Sequence, residues 1–361
     1  MGTLVADSYL SVFKGKRVFV TGHTGFKGSW LVLILKSLGA EVKGYSLDPE
    51  YDQSHFERLE LRNLIHHVCA DIRDESRLSF EIASFKPEIV FHLAAQALVR
   101  PSYENPKNTF DINIGGGINL LEAVRKCTTV KSLVFITSDK CYENLEWVWG
   151  YRESDVMGGH DPYSASKGAV ELVFSSYIRS FFISRPNFGA ATARAGNVIG
   201  GGDWALNRIV PDCIRALQAD SLINIRSPNA TRPWQHVLEP LSGYLKLATE
   251  LYERGHSFDG AWNFGPQVGD TRTVLDVATA IANKFNGVEV RVNVPAEMPY
   301  EAGLLQLNSD KARQLLRWNT RWNFGQTMEN TADWYKQVLF DKRPAYEVSR
   351  EQITKYYGGQ F

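Results

Sequence analysis

The sequence has no excess of either charge sign: Lys and Arg number 40, Asp and Glu number 40, and the formal net charge at pH 7 is zero. Without a basic field to gather a phosphate backbone, a nucleic acid is not an expected partner. No run of about 18 apolar residues occurs, and Met1 to Phe13 lacks a basic start followed by an apolar stretch. Neither a membrane span nor a secretory leader is therefore expected, and the protein is read as cytoplasmic. Cysteine is sparse. Cys69, Cys127, Cys141 and Cys213 show neither the paired spacing of a zinc site nor the density of a disulfide framework. The eight histidines show no ligand spacing, so no metal is expected. Internal repeats, low-complexity tracts and obvious linkers are missing too.

What is present is the composition of a packed globular protein, 44% hydrophobic and 22% charged over 361 residues, long enough for two structural units. Short apolar runs at Arg17–Thr21, Glu41–Ser46, Ile65–Ala70, Ile89–Ala94, Ser132–Thr137 and Ala190–Arg194 read as strands. Amphipathic stretches at Gly25–Leu38, Arg73–Phe85, Thr109–Cys127 and Tyr163–Phe182 read as the helices between them. This alternation predicts an α/β fold, a Rossmann-type doubly wound parallel sheet covered on both faces. Past Gly196 the alternation loosens and Gly and Pro become frequent. Residues 1–195 are thus expected to form the dinucleotide-binding unit and 196–361 a smaller, mainly substrate-binding unit, with a chain that can cross between them.

Val18 to Gly28 passes from an apolar strand through Gly22, Gly25 and Gly28 into an amphipathic helix. In that context the first glycine makes a tight turn, the second lets backbone N–H groups approach a pyrophosphate, and the third permits close helix–strand contact. The spacing Gly-x-x-Gly-x-x-Gly resembles the extended short-chain dehydrogenase/reductase family, which implies a dinucleotide held by Gly22, His23, Thr24, Gly25, Phe26, Lys27 and Gly28. Asp48 stands 20 residues past Gly28, near the end of the second strand, where a carboxylate accepts from ribose hydroxyls and repels a 2′-phosphate. NAD is therefore expected rather than NADP. Asp71-Ile72 resembles the family's adenine-contacting pair, and Leu93-Ala94-Ala95-Gln96 the segment bordering the dinucleotide. Asn113 takes the place of the residue that orients the helix behind the site.

Tyr163 and Lys167, four apart at the start of a helix, share one face, so the ammonium can act on the phenol. An adjacent cation favours the phenolate, which an isolated tyrosine near pKa 10 does not form at neutral pH. The strand before this helix ends in Thr137-Ser138-Asp139-Lys140, at the carboxyl edge of a parallel sheet where ligands bind. Sugar epimerases of the family carry small neutral residues after the Ser or Thr. The 4,6-dehydratases carry an acid and a second ionisable residue, as an elimination requires: one group takes the C5 proton and another protonates the departing C6 hydroxyl. Dehydratases of dTDP-glucose and GDP-mannose typically have Glu where Lys140 stands, so the C5 base is either Lys140 in its neutral form or a redistribution involving Asp139.

Asp139-Lys140 together with Gly22 to Trp30 resembles the CDP-glucose 4,6-dehydratases in particular, over residues 15 to 334. The resemblance implies CDP-glucose as substrate, Ser138, Asp139, Lys140, Tyr163 and Lys167 as catalytic residues, and a product that feeds deoxysugar synthesis for surface polysaccharide. Asn197, Arg208, Arg232 and Tyr300 are the expected substrate contacts, with forked guanidinium groups suited to a diphosphate. Relatives commonly dimerise through two helices per subunit, which implies a homodimer or tetramer built on 109–127 and 163–182. A nucleotide-sugar 4-epimerase, sharing the glycine turn and the Tyr163–Lys167 pair, is the rival reading.

Overall fold

The computed structural model describes residues 8–267, 269, 271–285, 287–293 and 303–359. Seven parallel strands form the central sheet: β1 (Arg17–Thr21), β2 (Glu41–Ser46), β3 (His66–Cys69), β4 (Ile89–His92), β5 (Ser132–Ile136), β6 (Gly189–Ala195) and β7 (Gly260–Phe264). They lie in the order β7-β6-β5-β4-β1-β2-β3. The order reverses between β1 and β4, which pair from Val18 opposite Ile89 to Thr21 opposite His92, and such a reversal opens a crevice at the carboxyl ends of the strands.

Alternation of side chains along each strand feeds two cores. Val18, Val20, Ile89, Phe91, Val134, Ile136 and Ala193 pack with α1 (Phe26–Ser37) and the long helix Leu238–Arg254. Phe19, Val90, Leu133 and Phe135 face the other way, onto α2 (Glu75–Phe85), α3 (Gly116–Lys126) and α4 (Pro162–Tyr177). Strands buried on both faces are mostly apolar, and β4, β5 and β6 are buried at every position, including the polar His92, Ser132, Thr192 and Arg194.

The expected helices are present with trimmed ends. The span 109–127 is more elaborate than a single helix. A turn at Pro106–Phe110 runs into a π-helical turn at Asp111–Gly115 before α3 begins. A second π turn, Ile178–Phe182, extends α4. The seventh strand was not anticipated. Gly260 to Phe264 pairs with β6 from Gly260 opposite Ala191 to Phe264 opposite Ala195, so the later half of the chain completes the sheet begun by the earlier half. Among the described residues, the rest of that half contributes three two-stranded ladders, 198–199 with 235–236, 231–233 with 271–273, and 223–225 with 290–292. The Trp30 indole donates to the Gly201 carbonyl at 2.9 Å, tying α1 to the loop beyond β6.

Candidate active site

A cavity of about 860 Å³ lies at the carboxyl edge of the sheet, with the glycine turn at one wall and residues of the later half at the other. Gly22 has φ 70°, and a Cβ there would come within 2.6 Å of the Ala94 nitrogen. At Gly28 a Cβ would meet the Gly22 carbonyl at 2.2 Å. Only glycine permits this closure of β1 onto α1. Gly25 caps α1 without any side-chain hydrogen bond, so the first N–H groups of the helix remain available to an anion.

Thr24, Gly25, Phe26, Lys27, Asp48, Asp71, Ile72, Leu93, Ala94 and Ala95 all line this cavity. His23 does not. Its ring is fully buried behind the turn, edge-on to Phe56 and hydrogen-bonded to His67 at 2.7 Å. Burial and the neighbouring His67 lower its pKa to about 3, so it is neutral. The Asp71 carboxylate is gripped by Arg73, with Nη2 at 2.6 Å. These groups fit a dinucleotide: a tight glycine cradle, an uncapped helix start for the pyrophosphate, and a carboxylate at the end of β2 for a ribose.

Asp161 sets the start of α4. Its side chain accepts from the Ser164 N–H at 2.9 Å, Pro162 occupies the first helical position, and Tyr163 follows in the first turn. Lys167, one turn on, has its Nζ 6.0 Å from the Tyr163 ring centre. Asn113, turned inward by the π turn, donates to the Gln96 carbonyl at 3.0 Å and to the Ser166 hydroxyl at 2.8 Å. Ser166 in turn donates to the Tyr163 carbonyl, so Asn113 fixes α4 against the loop after β4.

The end of β5 is equally specified. The Ser138 hydroxyl donates to Asp139 Oδ1 at 2.9 Å and accepts from the Lys140 N–H at 3.2 Å, shaping the short turn Asp139–Cys141. Ser138 and Asp139 are buried, and Lys140 lines the cavity beside Tyr163. Burial pushes the Tyr163 phenol up to about 12, against the hydrogen bond from Ser138, which lowers it. Burial lowers Lys167 to about 8, reinforced by the Lys27 ammonium and opposed by Glu171. Lys27 is likewise lowered to about 8, by burial first and then by Arg208, while Asp139 works against the shift.

Several contributors have no sequence signature. Glu171, one turn past Lys167, accepts from Thr137, Thr192 and Arg194, the last at 2.8 Å through both Nε and Nη2. Arg194 is buried to 3% exposure and also donates to the Tyr142 hydroxyl at 2.6 Å. Gly196 leaves space for the Asp139 carboxyl: a Cβ there would stand 3.0 Å from its Oδ2. Asp203 holds Arg208 at 3.0 Å. Of the expected substrate contacts, Asn197, Arg208 and Arg232 line the cavity, and Arg232 is additionally anchored on the Gly303 carbonyl at 3.1 Å. Tyr300 lies outside the described residues.

Compared with known proteins, the family model described as GDP-mannose 4,6-dehydratase matches residues 19–331. A CDP-glucose 4,6-dehydratase of Salmonella typhimurium is 49% identical over 328 residues, covering 90% of this chain and 91% of that protein. Among solved structures, a dTDP-glucose 4,6-dehydratase of Streptomyces venezuelae with NAD bound superposes with a TM-score of 0.76 at 20% identity, covering 89% of this chain and 97% of the other. A UDP-glucose 4-epimerase of Thermus thermophilus complexed with NAD gives a TM-score of 0.76 at 25% identity over 90% and 100% of the two chains.

Proposed function

The chain belongs to the GDP-mannose 4,6-dehydratase family of extended short-chain dehydrogenases, and from that membership we propose that it converts CDP-glucose to CDP-4-keto-6-deoxyglucose with NAD as the resident cofactor. The observation that carries the dehydratase reading is Asp139. A carboxylate buried to 4% exposure stands beside Tyr163 at the end of β5, with Lys140 next to it on the cavity wall. The substrate base and sugar follow the 49% identical relative, which acts on CDP-glucose by name.

NAD held by the glycine turn Gly22–Gly28 and Asp48 would supply the hydride acceptor for C4 of the sugar and the hydride for C6. Tyr163, as phenolate, takes the proton of the C4 hydroxyl, and the Ser138 hydroxyl hydrogen-bonds the same oxygen region. Burial raises the Tyr163 pKa, and the Lys167 ammonium, 6.0 Å from the ring centre, is the cation placed to favour the phenolate. Once C4 is a ketone the C5 hydrogen is acidic. The adjacent Asp139 and Lys140 are the pair through which that proton leaves C5 and a proton reaches the C6 hydroxyl as it departs as water. Arg208 and Arg232 hold the diphosphate, Asn197 contacts it, and the aliphatic and aromatic wall excludes water.

A product of this kind serves deoxysugar synthesis for surface polysaccharide such as O-antigen, in the cytoplasm. A homodimer across α3 and α4 is supported by the outward side chains of Leu172 and Phe181, 63% and 49% exposed. No helix among the described residues is long and apolar enough to cross a membrane.

CDP-glucose deuterated at C4 tests the reading. Turnover in ordinary water places the label at C6 of a 4-keto-6-deoxy product, and unlabelled substrate in heavy water gains deuterium at C5. Label recovered at C4 of an intact hexose, read by mass spectrometry and proton NMR, refutes dehydration and leaves a 4-epimerase.

A further inference from the structure

At the far end of the cavity from Tyr163, the Asp48 carboxylate is surrounded by donors that the dehydration reaction does not use. Arg62 Nη2 donates to Oδ1 at 2.8 Å, and the Cys69 thiol donates to Oδ2 at 3.2 Å. His67 Nε2 stands 3.6 Å from Oδ1, too far for a hydrogen bond, and has no other partner among the described residues. The opposite nitrogen, Nδ1, shares a 2.7 Å hydrogen bond with the buried His23, so that a donating His23 Nε2–H leaves His67 with its proton on Nε2, facing Asp48. Glu57 holds the guanidinium of Arg62 from another side at 3.2 Å. Of these groups Asp48 lines the cavity, and the others stand around it.

We propose that Arg62, His67 and Cys69 form a cradle for the 2′-phosphate of an adenosine ribose, and that Asp48 closes it to NADP by filling it with a carboxylate of its own. The inference rests on the reading of the cavity as a nicotinamide dinucleotide site. An anionic oxygen placed where Asp48 Oδ1 stands has a guanidinium N–H at 2.8 Å, the distance of a charge-assisted hydrogen bond to phosphate. The side chains of β3 and of the turn at Leu61–Asn63 thus already provide what an NADP enzyme requires. In this arrangement NAD selectivity comes from an occupied anion site rather than from a missing cation. Arg62 is then a specificity-determining residue with two roles. With Asp48 present it keeps the carboxylate ionised and oriented toward the ribose, consistent with a pKa held below the ordinary value by Arg62 first and Cys69 second. With Asp48 absent it receives phosphate.

The experiment is a thermodynamic cycle read by calorimetric binding of NAD and NADP to the ligand-free protein, with no turnover involved. It compares wild type, Asp48→Ser, Arg62→Met and Asp48→Ser/Arg62→Met at one ionic strength. Asp48→Ser is expected to bind NADP about tenfold more tightly than wild type does, the worth of one charge-assisted contact. Adding Arg62→Met is expected to abolish that gain. The gain must also shrink as salt is raised, because it is electrostatic. NADP binding that is equal in the single and double variants overturns the cradle, as does an Asp48→Ser protein with no gain at all. Should serine at 48 lower the melting temperature enough to confuse the comparison, Asp48→Asn with and without Arg62→Met repeats it in an isosteric background. Failure of wild type to bind either dinucleotide would instead sink the cofactor assignment, which keeps the two failures apart.

Discussion

Replacing Glu171 by Gln removes one charge from a buried network while keeping its shape. The carboxylate is 5% exposed and receives four hydrogen bonds, two of them from Arg194, which is 3% exposed. Burial opposes the charge on Arg194, and Glu171 outweighs it. Without Glu171 the guanidinium keeps only neutral acceptors, the Tyr142 hydroxyl and the Glu153 carbonyl. Breaking a buried ion pair by removing one partner costs about 3–5 kcal/mol, since an uncompensated charge stays in the interior. Replacing both partners by groups of similar volume is close to neutral. Glu171→Gln should therefore lower the urea unfolding midpoint by the equivalent of about 3–5 kcal/mol, and Glu171→Gln/Arg194→Met should recover most of it. Glu171 also raises the pKa of Lys167 one helical turn away, so the surviving activity of the single variant should lose its alkaline limb at lower pH than wild type. A single variant destabilised by less than about 1 kcal/mol, or a double variant no better than the single, refutes the account of an unpaired interior charge.

Three further outcomes follow from the same geometry. Tyr163→Phe should bind NAD as wild type does and lose at least about a hundredfold in kcat, the usual worth of a positioned acid–base group; activity within tenfold of wild type contradicts its role. Lys167 and Lys27, both lowered to about 8, lose their charge together, so kcat should fall above about pH 8 with an apparent pKa belonging to the pair. Their effect on stability has the opposite sign. Between about 8 and the unfolded value of 10.5 the unfolded chain binds more protons, so this contribution to stability rises with pH while turnover declines, as parallel denaturation and rate profiles would show. Gly196→Ala should crowd Asp139, 3.0 Å from the new methyl carbon, and reduce kcat while calorimetric NAD affinity is retained.

The parts of the site that were legible in the sequence are those whose physics is local. The glycine turn needs three positions within seven residues, and Tyr163 and Lys167 share one helix face through a spacing of four. The acid and cation after β5 stand out because charges directly follow a fully buried strand. What remained hidden is assembled across the chain. Glu171 reads as an ordinary helix residue until Thr137, Thr192 and Arg194 are brought to it from two strands. Arg62 reads as a surface charge until Asp48, 14 residues earlier, is folded against it. His23 sits inside the glycine motif, yet Gly44 opposite it, with room for no Cβ beside the ring, marks a side chain directed into the core. The seventh strand escaped because five residues beginning with glycine carry too short a pattern to separate from a loop.

That seventh strand also bears on how the protein is made. The outer edge of β6, with its sequence Gly-Ala-Ala-Thr-Ala-Arg-Ala, is covered only when β7 arrives 65 residues later in the chain. At ribosomal rates of about 5–20 residues per second, the interval lasts roughly 3–13 s. Throughout it a nascent chain that already holds its glycine turn and all of α4 presents an unpaired strand edge, the kind of surface on which chains pair wrongly with each other. Slowing elongation between codons 196 and 260 therefore lengthens the window for aggregation without altering a single residue of the finished enzyme.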